Sequence, residues 1–202
     1  MRDSGCIVVN WSIESGDEFM RNTVLKRQMS DSQIFKTAEL LTQYKIRYRI
    51  GNIIGLPGES FGQMLKTLEL NIKAKPSMGL ANIFVPFPGL ALTEYAIAHG
   101  HYVPNAEKKI PDDFFTQSIL EMSPRENKAI QKLMRLFPLF VNFPFLYSAV
   151  PARRALFALP RFVLKTVYEL FFALKMMRLY VSRADFAKKA RIILRYLIDS
   201  QR

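Results

Sequence analysis

The sequence holds one cysteine, two histidines and one tryptophan among 202 residues, and it becomes poor in acidic side chains beyond residue 124. With Cys6 alone it cannot close an internal disulfide, build a cysteine-rich zinc site or carry an iron–sulfur cluster on its own thiolates. A reducing, cytoplasmic address fits. No continuous run of about 20 apolar residues is present, because Pro138 and Pro144 interrupt the stretch from Leu136 to Val150, so no membrane span is expected. Met1 to Gly5 is polar and charged, with no basic lead into an apolar core, and reads as no secretory signal.

What is present is core material: half the residues are apolar and 12% are aromatic, which argues for a packed globular chain. The net charge of +12 is concentrated. Residues 1–124 carry 13 basic and 13 acidic side chains, whereas residues 125–202 carry 16 and 4. That asymmetry suggests an acidic partner for the C-terminal region: an anionic membrane surface, a nucleic acid or a negatively charged substrate.

Apolar spacing divides the first hundred residues into alternating strands and helices. Cys6 to Ile13 is a β-branched and aromatic run, and Glu18 to Lys26 and Asp31 to Tyr44 have helical periodicity, the second capped at Ser30-Asp31. Ile46 to Ile54 predicts a parallel strand with both faces covered near its end. Ser60 then caps a helix to Lys75, Leu80 to Val85 is a third strand, and Leu92 to His99 is a short helix ending at Gly100. This β-α-β-α-β-α rhythm implies a parallel sheet, open or rolled into part of a barrel, with functional groups on Glu14-Ser15-Gly16, Gly55 to Glu59 and Pro86 to Gly89.

An irregular connection spans 101–124, with Pro104, Pro111 and Pro124, and its Glu107, Asp112 and Asp113 read as solvated charges. Helices are then expected over Ser123 to Phe137 with Pro124 at the first position, over Arg161 to Val181, and over Ala184 to Ile198.

Gly51-Asn52-Ile53-Ile54-Gly55-Leu56-Pro57-Gly58-Glu59 is the most informative segment. Its glycines bare the end of a buried strand, so a flat ligand could approach the backbone; a plain Gly-Pro turn is the other reading. A phosphate loop is disfavoured because the segment lacks the required Lys. In Ser12-Ile13-Glu14-Ser15-Gly16, Glu14 places a carboxylate at the sheet's mouth, able to accept hydrogen bonds from ribose hydroxyls or an ammonium group, or to serve as a cap or ion-pair partner. Gly16 would allow the turn.

Taken in order, Ser4-Gly5-Cys6, S-I-E-S-G (Ser12 to Gly16), Lys26-Arg27, Met29-Ser30-Asp31, G-N-I-I-G-L-P-G-E and V-P-F-P-G (Val85 to Gly89) resemble radical S-adenosylmethionine enzymes. The resemblance is to the branch that often carries a cobalamin-binding domain and includes the anaerobic magnesium-protoporphyrin ester cyclases. It covers about residues 1–104. It implies the C-terminal half of a (β/α)6 partial TIM-type barrel, followed by an α-helical extension. In that family a [4Fe-4S] cluster and S-adenosylmethionine together yield a deoxyadenosyl radical.

Carried over, the resemblance places Glu14 and Ser15 at the ribose or methionyl part of S-adenosylmethionine, Ile53, Gly55 and Leu56 along the adenine, and Arg27 at the methionyl carboxylate. Ser12 departs from the family's usual Gly, with Trp11 before it. The family's Cys-x-x-x-Cys-x-x-Cys loop is absent, and Met1 aligns with the end of the helix before the fourth family strand. The chain therefore matches a half that lacks the first three β-α units and any cobalamin domain upstream, and by itself it should have no radical activity. Its first strand would expose an unpaired edge, so poor solubility is expected.

His99 and His101 stand without a nearby carboxylate or cysteine and read as a helix terminus, so no metal ligands are assigned. Met176-Met177 reads as packing. Arg153, Arg154, Arg161, Lys165, Lys175 and Arg178, interleaved with Phe and Tyr, would lay helices on an anionic membrane or, as favoured, pack against the barrel with charges in water. No fold specific to nucleic acid is recognised. The organisation read is a partial core over 1–104, a connection over 105–123 and a basic, aromatic-rich extension over 124–202. The leading function is the cofactor-binding part of a radical S-adenosylmethionine enzyme acting on a small molecule. The alternative is a cluster-free module at a membrane surface or partner, which would make the address peripheral to the membrane.

Overall fold

The computed structural model describes residues 1, 4–104 and 117–180. Three strands, β1 (Val8–Glu14), β2 (Arg47–Ile54) and β3 (Met78–Ile83), pair in parallel in the order β1-β2-β3. Helices α1 (Asp31–Gln43) and α2 (Phe61–Ala74) are the crossovers, and a π-helical turn at Met20–Val24 precedes α1. After β3 come α3 (Ala91–Ala98), α4 (Pro124–Asn142), α5 (Pro144–Ser148), α6 (Val150–Ala158) and α7 (Arg161–Tyr180). The described chain is an α/β protein with a helical C-terminal region.

The helix starts are written locally. Ser30, Ser60 and Ser123 each accept from the backbone N–H three residues on, while Gln33, Gln63 and Glu126 reach back to the cap residue. Such reciprocal boxes satisfy two of the four orphan N–H groups at a helix start and contribute about 1 kcal/mol each.

Burial along β2 alternates from Arg47 to Ile54 without a break. Tyr48 and Ile50, with Ile13, pack against Ile34, Ala38 and Leu41 of α1. Ile54, two steps further along the same face, packs with Ala81, Ile83, Met64 and Leu68 of α2, and Ile130, Phe137 and Phe140 of α4. Helices α1, α2 and α4 therefore cover one side of the sheet. Near the end of β2 both sides are packed, Ile54 in that core and Ile53 partly buried beside Met20, Leu56 and Phe84. Further back along the strand, among the described residues, Asn10, Ser12, Arg49, Gly51, Leu80 and Asn82 face a depression on the side away from α1, α2 and α4.

Pro138 does not interrupt the helix as its sequence position suggests. Helix α4 runs through it to Asn142, because Phe137, Phe140 and Val141 are buried in the core and their burial offsets the helical hydrogen bond that proline cannot donate. Pro144 does mark a boundary, at the start of α5. The third strand begins at Met78, two residues before its sequence-derived start. The expected helix over Ala184 to Ile198 and the charges Glu107, Asp112 and Asp113 lie outside the described residues.

Candidate functional site

Among the described residues, the sheet face away from α1, α2 and α4 forms a depression of about 380 Å³. Its floor combines small and polar groups, Gly51 among them. A Cβ at Gly51 would stand 2.7 Å from the Ser12 Oγ of the neighbouring strand, so glycine leaves that hydroxyl lying over the strand. The last turns of α7 meet the strands toward their N-terminal ends. Tyr180 donates to Asn10 Oδ1 at 2.7 Å, Arg49 reaches Met176 Sδ at 3.8 Å, and Arg47 donates to the Arg178 carbonyl.

Glu14 ends β1 just after a register shift and sits at φ +64°. That left-handed backbone costs a glutamate roughly 1–2 kcal/mol, and such strain concentrates at functional positions. Burial raises the Glu14 carboxyl above its ordinary range, while the Arg27 guanidinium and the Ser12 hydroxyl pull it back. Arg27 also donates to the Ser12 carbonyl at 3.3 Å. Glu14, Ser12 and Arg27 thus meet at one end of the open face.

Ser15 turns elsewhere. It is fully buried, its hydroxyl receives the Asp17 N–H at 3.2 Å, and it lies 3.5 Å from Thr67 Oγ1 on α2. Ile53, Gly55 and Leu56 divide as well. Ile53 lies on the open side of β2, whereas Gly55 has φ +69° beside Ile130 and Leu56 is buried with Met20 and Phe84. Leu56 also lines a second cavity, of about 610 Å³, between the starts of α2 and α4.

Glu59 borders that second cavity. Its Oε2 accepts from the Leu56 N–H at 3.1 Å, while its Oε1 is buried without a hydrogen-bond partner among the described residues. Burial pushes this carboxyl up to about 8, against the lowering effect of the Leu56 and Gly55 N–H groups.

One organising residue was not legible in the sequence. Arg21 is completely buried and donates Nε to the Met29 carbonyl at 2.8 Å, Nη1 to the Ser15 carbonyl at 3.0 Å and Nη2 to Asp31 at 2.6 Å. It ties the turn after β1 to the start of α1, and so fixes the peptide between Ser15 and Gly16. The phrase Met29-Ser30-Asp31 supplies its acceptors and was the available signal. Asn10, Arg49 and Asn82 were missed because only strand register shows which side they face.

His99 and His101 have parallel rings 6.4 Å apart, and His99 Nδ1 lies 2.8 Å from the Tyr95 carbonyl. Among the described residues no group of three or more His, Cys, Asp or Glu could hold a metal ion. Cys6 lies before β1, at the opposite end of that strand from Glu14. Among known proteins, no family model and no curated protein matches the chain.

Proposed function

We propose that the open sheet face binds the nucleoside side of S-adenosylmethionine, as the C-terminal part of a (β/α)6 radical S-adenosylmethionine enzyme. The observation that carries this reading is Glu14, held in a left-handed conformation beside Ser12 and Arg27 on the side where Gly51 leaves β2 bare. A half-buried carboxylate accepts two hydrogen bonds from a vicinal diol, a pairing that a monohydroxyl ligand cannot reproduce. Ile53 offers an apolar edge to a base, and Arg27 offers a cation to a carboxylate.

The residues present fit the ribose, adenine and carboxylate of this cofactor. They do not fit a [4Fe-4S] cluster, since one thiol lies at the wrong end of β1, and no radical step is assigned to this chain's own residues. In the family, bound S-adenosylmethionine supplies an adenosyl group for hydrogen abstraction. The chain's part is to bind and orient: Glu14 at the ribose, Ile53 at the base, Arg27 at the methionyl carboxylate.

Isothermal titration of the full chain with S-adenosylhomocysteine tests this. Saturable binding displaced by adenosine is expected, and Glu14→Gln should weaken it about tenfold to a hundredfold through loss of charge-assisted bonds. Gly51→Val should abolish it with the circular dichroism unchanged. Absence of saturable binding, or indifference to both substitutions, would overturn the reading.

A further inference from the structure

Helix α7 is apolar on more than its packed side. It buries Leu164, Ala173 and Leu179, yet Val167, Leu170 and Leu174, which share another face at helical spacing, are all exposed, the two leucines at 49% and 45%. Phe171 adjoins that face, and its ring centroid lies 6.0 Å from Phe143, which in turn lies 6.2 Å from Phe145. Phe145, on α5, is 65% exposed. An aromatic corner and an aliphatic stripe therefore join into one apolar patch, and among the described residues it is left in water. Contiguous apolar surface of this kind marks an interaction site.

The charges around it identify the partner. Residues 125–180 carry ten basic side chains and two acidic ones, Glu126 and Glu169. Both acids are engaged internally: Glu126 closes the Ser123 cap, and Glu169 stands 3.6 Å from Lys165. The Lys175 ammonium sits 5.7 Å over the Phe171 ring but turns inward, donating to Asn142 Oδ1 and to the Ser77 carbonyl, whereas Arg178 is exposed one turn beyond Leu174. The surface is thus an apolar centre in a region of net positive charge, with Arg178 exposed at its edge. A second copy of this face would bring like charges together, and a nucleic acid would leave Leu170 and Leu174 without a matching group.

We propose that this face docks on an anionic lipid bilayer. Phe143, Phe145, Leu170 and Leu174 enter the boundary between headgroups and acyl chains, while Arg178 remains at the lipid phosphates. Among the described residues no helix is long and apolar enough to cross a membrane, so the contact is with the surface. The inference stands independently of the cofactor reading.

Sedimentation of the full chain with vesicles decides it. Vesicles of phosphatidylcholine with about 30 mol% phosphatidylserine should bind at least about tenfold more tightly than phosphatidylcholine alone, and added salt should erase that advantage. Phe145→Ser should lower binding about tenfold on anionic vesicles, and Arg178→Gln about fivefold. Phe162→Ser, an exposed phenylalanine outside the patch, should change neither value. Unchanged melting curves separate these effects from misfolding. Equal binding to both vesicle types, no binding, or equal losses from the Phe145 and Phe162 variants would overturn the proposal. So would self-association that Phe145→Ser abolishes without any vesicle binding, which would assign the patch to a second copy.

Discussion

The sheet region and the helical region solve the problem of holding together in different ways. Between the strands and α1 and α2, buried polar groups are tied by directed bonds. Arg21 grips three acceptors, Asn52 and Asn71 exchange bonds of 3.2 and 2.9 Å between β2 and α2, and Asp17 binds Lys66 at 2.8 Å. Helix α4 instead contributes a nearly all-apolar stripe, with Phe137 and Phe140 fully buried. Directed bonds fix angles as well as distances, and a binding site needs that at the strand ends. Apolar packing tolerates shifts, and the basic side chains that turn inward here reach neutral oxygens and not acids: Lys132 the Phe157 carbonyl, Arg161 the Gln131 amide, and Lys175 Asn142 and the Ser77 carbonyl.

The sharpest way to break this comparison is to keep volume and remove direction. Arg21→Met leaves the Ser15 and Met29 carbonyls and Asp31 without their shared donor and should cost about 3–5 kcal/mol by urea unfolding. A loss under about 1 kcal/mol would mean that the turn is held by packing instead.

Glu59 sharpens the contrast through pH. Its folded carboxyl titrates near 8, well above the unfolded value near 4.5, so the folded state holds a proton that the unfolded state has already released. Its stabilising contribution is complete below about pH 4.5 and is lost as pH rises toward and through 8. Stability should therefore fall by about 3 kcal/mol between pH 5 and pH 8 on this account, and Glu59→Gln should flatten that slope. Parallel pH profiles for the two proteins would show that Glu59 is not responsible.

Gly16→Ala comes next. Its added Cβ would stand 2.5 Å from the Lys66 carbonyl oxygen of α2, a backbone atom that cannot swing aside, so a cost of about 2–3 kcal/mol is expected in thermal melts. In the helical region, Phe140→Leu should cost only about 1 kcal/mol, since neighbouring apolar side chains can repack. A larger loss there than at Gly16 would invert the comparison.

Much of the architecture was readable because it is encoded locally. The three strands were placed within about two residues by their β-branched runs, and Ser30, Ser60 and Ser123 announced their helices because capping is a contact between residues three apart. Where the reading failed, the deciding interaction was distant. Pro138 should end a helix on local grounds, yet core burial carries α4 past it. Helices α5 and α6 were not distinguished within an apolar, proline-punctuated stretch.

The candidate site divides along the same line. Glu14 was picked out as a carboxylate at a strand end, and the structure adds its left-handed backbone and its neighbours Ser12 and Arg27. Gly16 was read as enabling a turn. In the structure it allows close approach to α2, its N–H donating to Thr67 Oγ1 at 2.8 Å, while the left-handed residue is Glu14 itself.

By itself, then, the sequence determined where elements begin, which residues alternate and where charge accumulates, because each depends on neighbours within a few positions along the chain. Which side of the sheet α1, α2 and α4 cover, that Arg21 is buried, and that Phe143 meets Phe171 were decided only by the tertiary structure. Those facts depend on how α1, α2 and α4 stack on one face and how α7 returns to the strands, and the contacts responsible join residues that can be more than a hundred positions apart.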